Sequence, residues 1–122
     1  MPRVIHFEIP TENPDRATKF YREVFGWEIQ KWAGPMEYWL AKTGADGQPG
    51  INGGLMRREA PYTGTTNTID VASVDTAIQT VKAKGGKLAI PKMAIPGIGY
   101  LAYCQDTEGN LFGMLQADAS AK

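Results

Sequence analysis

Residues 9–26, IPTENPDRATKFYREVFG, and residues 69–86, IDVASVDTAIQTVKAKGG, are one element written twice, 60 positions apart. The matches fall at Ile9 and Ile69, Asp15 and Asp75, Ala17 and Ala77, and Gly26 and Gly86. At the same spacing, Gly53 pairs with Gly113. Each copy opens on a strand, crosses a short polar turn, continues as an amphipathic helix and stops at glycine. In the first copy Asn13 is a good N-cap, Pro14 tolerates the first helical position and Asp15 complements the positive helix end. Ala17, Phe20, Tyr21, Val24 and Phe25 recur at helical spacing as one apolar stripe, and Gly26 supplies the left-handed stop. In the second copy Ser73 is the N-cap, Ala77, Ile78 and Val81 form the stripe, and Gly85-Gly86 ends it. A period this long, occurring twice, points away from a solenoid. It predicts two half-domains about a pseudo-two-fold axis, with a cleft between them suited to a small ligand.

Working outward, Arg3–Ile9 reads as the first strand, with Val4, Ile5, Phe7 and Ile9 apolar. Strands are predicted at Glu28–Trp32, Glu37–Thr43 and Ile51–Arg57. Residues 58–65, containing Pro61 and Gly64, read as a linker. The second half adds strands at Asn67–Val71, Lys87–Ile90, Gly99–Gln105 and Leu111–Gln116, with the turn Asp106-Thr107-Glu108-Gly109-Asn110 before the last. The prediction is one α+β domain with a first βαβββ module at 1–57, a linker at 58–65 and a second βαβββ module at 66–117.

The chain has 122 residues, of which 43% are hydrophobic, enough for a real core. Thirteen basic residues balance thirteen acidic ones. With no basic stripe and no basic amphipathic helix, neither nucleic acid nor a membrane surface is expected as a partner. Cys104 is the sole cysteine, so neither an internal disulfide nor a cysteine metal cluster is expected. The N-terminus enters a strand pattern at once and no long apolar run follows, which predicts a cytoplasmic protein.

The element order, together with Phe20-Tyr21…Phe25-Gly26-Trp27, Gly53-Gly54-Leu55-Met56, Gly85-Gly86-Lys87 and Asp106-Thr107-Glu108-Gly109-Asn110-Leu111-Phe112, resembles the vicinal oxygen chelate superfamily. That group includes glyoxalase I, extradiol dioxygenases, methylmalonyl-CoA epimerase and bleomycin-resistance proteins. The resemblance covers nearly the whole chain. It implies half-open barrels with helices outside, and a homodimer. The fold hosts enzymes and binders alike, so function rests on the site.

The resemblance also implies four metal-ligand positions, on the first and last strand of each half. They map to His6, Gly53, Thr66 and Gly113. Of these only His6 carries a ligand. Divalent metal sites need three or more convergent His, Asp, Glu or Cys side chains, so no metal and no cofactor is expected.

Strand alternation puts Phe7 and Ile9 on one face of the first strand and His6 and Glu8 on the other. Thr66 and Thr68 are their counterparts. Gly53 and Gly113 are expected to leave volume beside them, and Trp39 and Tyr100 to wall the space as stacking surfaces. The expected ligand-binding set is His6, Glu8, Trp39, Thr66, Thr68 and Tyr100. His6 and Glu8 are the acid/base candidates, and His6 is the only histidine. Cys104 reads as a buried structural thiol. Trp27 reads as closing the helix stripe, while Trp32 is open between ligand stacking and packing.

The leading expectation is a metal-independent, bleomycin-resistance-like protein that binds an organic, aromatic ligand. The first alternative is a glyoxalase-like lyase or isomerase acting on a carbonyl substrate with His6 or Glu8 as base. The second is a dimerising accessory module with a vestigial cavity.

Overall fold

The computed structural model describes residues 2–122. Its element order is β1 (Val4–Thr11), α1 (Pro14–Phe25), β2 (Glu28–Lys31), β3 (Trp39–Lys42), β4 (Gly53–Arg57), β5 (Thr66–Asp70), α2 (Val74–Ala83), β6 (Lys87–Ile95), β7 (Gly99–Gln105) and β8 (Leu111–Ala117). The chain is α+β, and it divides into a first unit of residues 6–65 and a second of residues 2–5 and 66–122.

In the first unit the strand order is β2-β3-β4-β1. β1 and β4 run parallel, with Phe7 opposite Gly53, Glu8 opposite Gly54 and Ile9 opposite Leu55. β3 is antiparallel to β4, setting Trp39 opposite Leu55, Leu40 opposite Gly54 and Ala41 opposite Gly53. Helix α1 begins as its sequence dictates. The Asn13 side-chain oxygen accepts the Arg16 N–H at 3.1 Å, worth about 1 kcal/mol. At the other end Gly26, with φ 73°, donates its N–H to the Arg22 carbonyl at 2.9 Å. The core is Ile29, Trp39, Ala41 and Leu55, with Ile9, Ala17, Tyr21 and Trp27 packed on it. The Tyr21 and Trp27 rings stack at 4.9 Å between centroids, so Trp27 does close this face.

The apolar stripe of α1 is only partly used. Pro14 and Thr18 are buried and Ala17 and Tyr21 half-buried, whereas Phe20, Val24 and Phe25 remain 54, 54 and 60% exposed. At 100° per residue, Phe20 lies about a third of a turn from the Pro14–Thr18–Tyr21 line that meets the sheet. The five apolar residues read as one stripe therefore split between core and surface.

In the second unit the order is β5-β8-β7-β6. β5 and β8 run parallel, with Thr68 opposite Gly113 and Ile69 opposite Met114. The Ser73 hydroxyl caps α2 by accepting the Thr76 N–H at 3.2 Å. Asp106 organises the β7–β8 turn, its carboxylate accepting the N–H groups of Glu108 and Asn110 at 2.8 and 2.9 Å. Strand β6 runs five residues past its expected end at Ile90. It lies at the sheet edge, where Pro91 removes no needed ladder bond and bulges absorb the irregularity.

Leu55 is fully buried between β1, β3 and α1. Leu55→Ala is expected to lower stability by about 3 kcal/mol in urea unfolding. Phe20→Ala is expected to change it by about 0.5 kcal/mol or less. Equal losses from the two would contradict this assignment of the core.

Candidate functional site

The sheet face opposite α1 in the first unit is built by four consecutive consequences of strand geometry. His6 and Glu8 point to this face because Phe7 and Ile9 point to the other. Gly54 lies beside Glu8 on the neighbouring strand. Leu40, opposite Gly54, shares the face, and so does Tyr38 two residues before it. A Cβ on Gly54 would collide with the Tyr38 ring, so the bare backbone here is what lets that ring lie against the sheet.

The Tyr38 hydroxyl then reaches both polar side chains. It lies 2.7 Å from His6 Nε2, and it hydrogen-bonds Glu8. The His6 and Tyr38 rings are nearly parallel, 18° apart with centroids at 6.3 Å. Trp32 meets Tyr38 edge-on at 6.2 Å, which places Trp32 beside this group. Glu8 is 5% exposed, while His6 and Tyr38 are half-buried. Burial dominates the electrostatics. It pushes the His6 imidazole below its usual value, with the Glu8 charge pulling back in part. It holds the Tyr38 phenol far above the usual tyrosine range, and the charge and hydrogen bond of Glu8 add to that. His6 is thus a neutral ring and Tyr38 a protonated phenol at neutral pH.

The set expected from the sequence contains Trp39 and not its neighbour Tyr38. The structure puts Trp39 in the core against α1, on the opposite face from His6 and Glu8. The signal was available: with Trp39 and Ala41 inward on β3, alternation turns Tyr38 outward. Tyr100 is corrected in the same way. It shares the β7 face of Ala102 and Cys104, not that of Tyr103, which lies opposite Gly113. That face is α2's, since Gln116, opposite Tyr100, accepts the Val74 N–H at 3.0 Å. The Tyr100 ring carries Lys92 Nζ at 5.0 Å.

In the second unit Thr66 and Thr68 are buried on one face of β5, with Gly113 opposite Thr68. The volume expected beside the glycines is filled. A Cβ on Gly113 would lie 3.0 Å from Thr68 Oγ1 and 3.3 Å from Tyr103 Cε1. Gly53 faces the α1 side, where a Cβ would meet the Phe7 ring at 2.5 Å. The glycine beside Glu8 is Gly54, so the repeat offset here is 59 positions, from 54 to 113, rather than 60.

These residues do not fit a divalent metal. His6 Nε2 and Glu8 are both engaged with Tyr38, the Gly54 and Gly113 positions offer no side chain, and Thr66 and Thr68 offer neutral hydroxyls. Among the described residues no group of three or more His, Cys, Asp or Glu side chains converges as such a site requires. Cys104 is fully buried, and burial pushes its thiol up, as befits an inert structural cysteine. Among the described residues no helix is long and apolar enough to cross a membrane.

Comparison with known proteins agrees with this architecture. The family model for the bleomycin resistance protein-like N-terminal region matches residues 3–44. A glyoxylase-like domain-containing protein of Didymella fabae is 31% identical over 109 residues, covering 84% of each chain. Among solved structures, a hypothetical protein of Bacillus halodurans C-125 aligns with a TM-score of 0.73 at 15% identity, over 99% of this chain and 98% of that one. Methylmalonyl-CoA epimerase from Mycobacterium tuberculosis aligns at 0.68 and 12% identity, over 94% and 87%. A glyoxalase/bleomycin resistance protein/dioxygenase superfamily member from Vibrio splendidus 12B01 aligns at 0.65 and 22% identity, over 97% and 100%.

The pH behaviour of His6 follows from its burial. Below the ordinary value of 6.5 the unfolded chain takes up a proton that the folded imidazole refuses. Stability is therefore full above pH 6.5, falls as the pH drops toward the lower folded value, and levels off beneath it. An NMR titration of the single histidine is expected to have its midpoint below 6.5. His6→Gln is expected to remove this part of the acid-dependent loss. A midpoint at or above 6.5 would contradict the assigned burial.

Proposed function

The chain belongs to the glyoxalase/bleomycin-resistance/dioxygenase superfamily, and on that footing we propose that it binds a small organic molecule, without a metal, through the His6–Tyr38–Glu8 face of its first unit. The observation that carries this reading is the hydrogen-bonded line itself. A neutral imidazole and a protonated phenol sit beside a buried carboxylate on the face opposite the helix. Burying such groups is unfavourable unless each is hydrogen-bonded. Here the bonds run among the three side chains, which holds them in one geometry without a metal ion. Trp32 and Tyr38 supply flat apolar surface at the same place, which suits an aromatic ligand.

A second reading keeps this site and makes it catalytic, with neutral His6 as general base toward a carbonyl compound. An enolate formed without a metal needs positioned donors. Arg57 and Arg58 are committed to Glu37 and Glu12 at 2.5 and 3.2 Å on the exterior. Binding is the better supported of the two.

The test is calorimetric titration of chelator-treated protein with a panel of aromatic and carbonyl compounds, bleomycin among them. The expected result is saturable binding that weakens at least about tenfold, or 1.4 kcal/mol, in His6→Ala, with no chemical change in the compound. Binding that appears only after a divalent metal is added would refute the metal-free reading. Consumption of a carbonyl compound that stops in His6→Ala would establish the enzyme instead.

A further inference from the structure

The line from Glu8 to His6 has a direction, and the direction decides which ring nitrogen a ligand meets. The Tyr38 hydroxyl carries one proton and can donate one strong hydrogen bond. Its two neighbours differ in what they can offer. A carboxylate only accepts, whereas an imidazole nitrogen either donates or accepts according to its tautomer. A hydrogen bond from a hydroxyl to a carboxylate is charge-assisted and roughly twice as strong as a neutral one, and burial strengthens it further. The Tyr38 proton therefore goes to Glu8. The Tyr38 oxygen then faces His6 Nε2 at 2.7 Å with only lone pairs to present. That contact is a hydrogen bond only if Nε2 carries the hydrogen.

We infer that Tyr38 is a positioning residue that fixes His6 as the Nε2–H tautomer, leaving Nδ1 as a hydrogen-bond acceptor, so that the molecule recognised here presents a hydroxyl or N–H donor to His6. This rests on the binding role proposed above for the same face. The imidazole is a directional acceptor rather than a general polar contact. A compound that offers only acceptors at this position, such as an ether or a ketone, leaves Nδ1 unpaired.

The assignment is read directly from histidine that is ¹⁵N-labelled in the otherwise unmodified protein. Long-range ¹H–¹⁵N correlation at pH 7.5 is expected to show a pyrrole-type Nε2 and a pyridine-type Nδ1. In Tyr38→Phe, which removes the acceptor while keeping the ring, the two nitrogens are expected to move toward averaged shifts. A pyridine-type Nε2, or averaged shifts in the unmodified protein, would overturn the inference. The unmodified spectrum decides this even if the variant does not fold.

Phenol and anisole then form a matched pair, alike except for the O–H. Phenol is expected to shift the Nδ1 resonance and to bind at least tenfold more tightly than anisole. Equal binding by the two would overturn the donor requirement. Binding by neither, with the tautomer as expected, would count against the binding role while leaving the part played by Tyr38 intact.

Discussion

The absence of a side chain at Gly54 is the constraint on which the rest of the site depends. One missing Cβ on β4 lets the Tyr38 ring lie against the sheet beside Glu8. From there its hydroxyl reaches both His6 and Glu8. Without that ring, a buried carboxylate and a half-buried imidazole on the same strand face would lose the hydroxyl that links them. Residues i and i+2 of a strand are roughly 7 Å apart at Cα, too far for a reliable direct bond. Tyr38 spans that gap from the side, and it does so from a residue just outside β3.

The same arrangement bears on the metal-free binding proposed above. A metal ligand must present a lone pair outward toward a shared point. Here His6 Nε2, the Tyr38 hydroxyl and Glu8 are engaged with one another, and the imidazole lone pair left on Nδ1 belongs to no group of three or more metal-ligating side chains among the described residues. Burial favours the uncharged forms of the imidazole and the phenol, and the relay satisfies them in those forms. An uncharged imidazole and phenol, hydrogen-bonded in line with a buried carboxylate, support the binding role proposed above. The similarity to solved structures, at 12 to 22% identity, speaks for the fold, and the chemistry rests on these side chains.

Much of the architecture was legible in the sequence because its signals are local. Asn13, Pro14 and Gly26 mark the ends of α1 through backbone hydrogen bonding and left-handed geometry that few other residues supply. Ser73 does the same for α2. The pairing of His6 and Glu8 on one face likewise follows from alternation within a single strand. What was not legible depended on register between strands. A 60-position repeat carried through to Gly53 and Gly113 is off by one, and a one-residue slip turns every side chain to the other face. The same kind of parity put Trp39 and Tyr100 on the wrong side and hid Tyr38 beside Trp39. The volume expected at the glycines was misread for a related reason. Sequence shows that a side chain is missing, and only packing shows that Phe7, Tyr38, Thr68 and Tyr103 have taken the space.

The dependence of Tyr38 on Gly54 is open to one direct measurement, a double-mutant cycle of Gly54→Ala and Tyr38→Ala followed by urea unfolding. With Tyr38 present, the added methyl has no room, and Gly54→Ala should cost about 2 kcal/mol or more. In the Tyr38→Ala background the obstruction is gone, and the same change should cost less than about 0.5 kcal/mol, since alanine is otherwise no worse than glycine in a strand. The account predicts a coupling of at least about 1.5 kcal/mol. Additivity within about 0.5 kcal/mol would contradict it, because the two residues would then not share the space that builds the site.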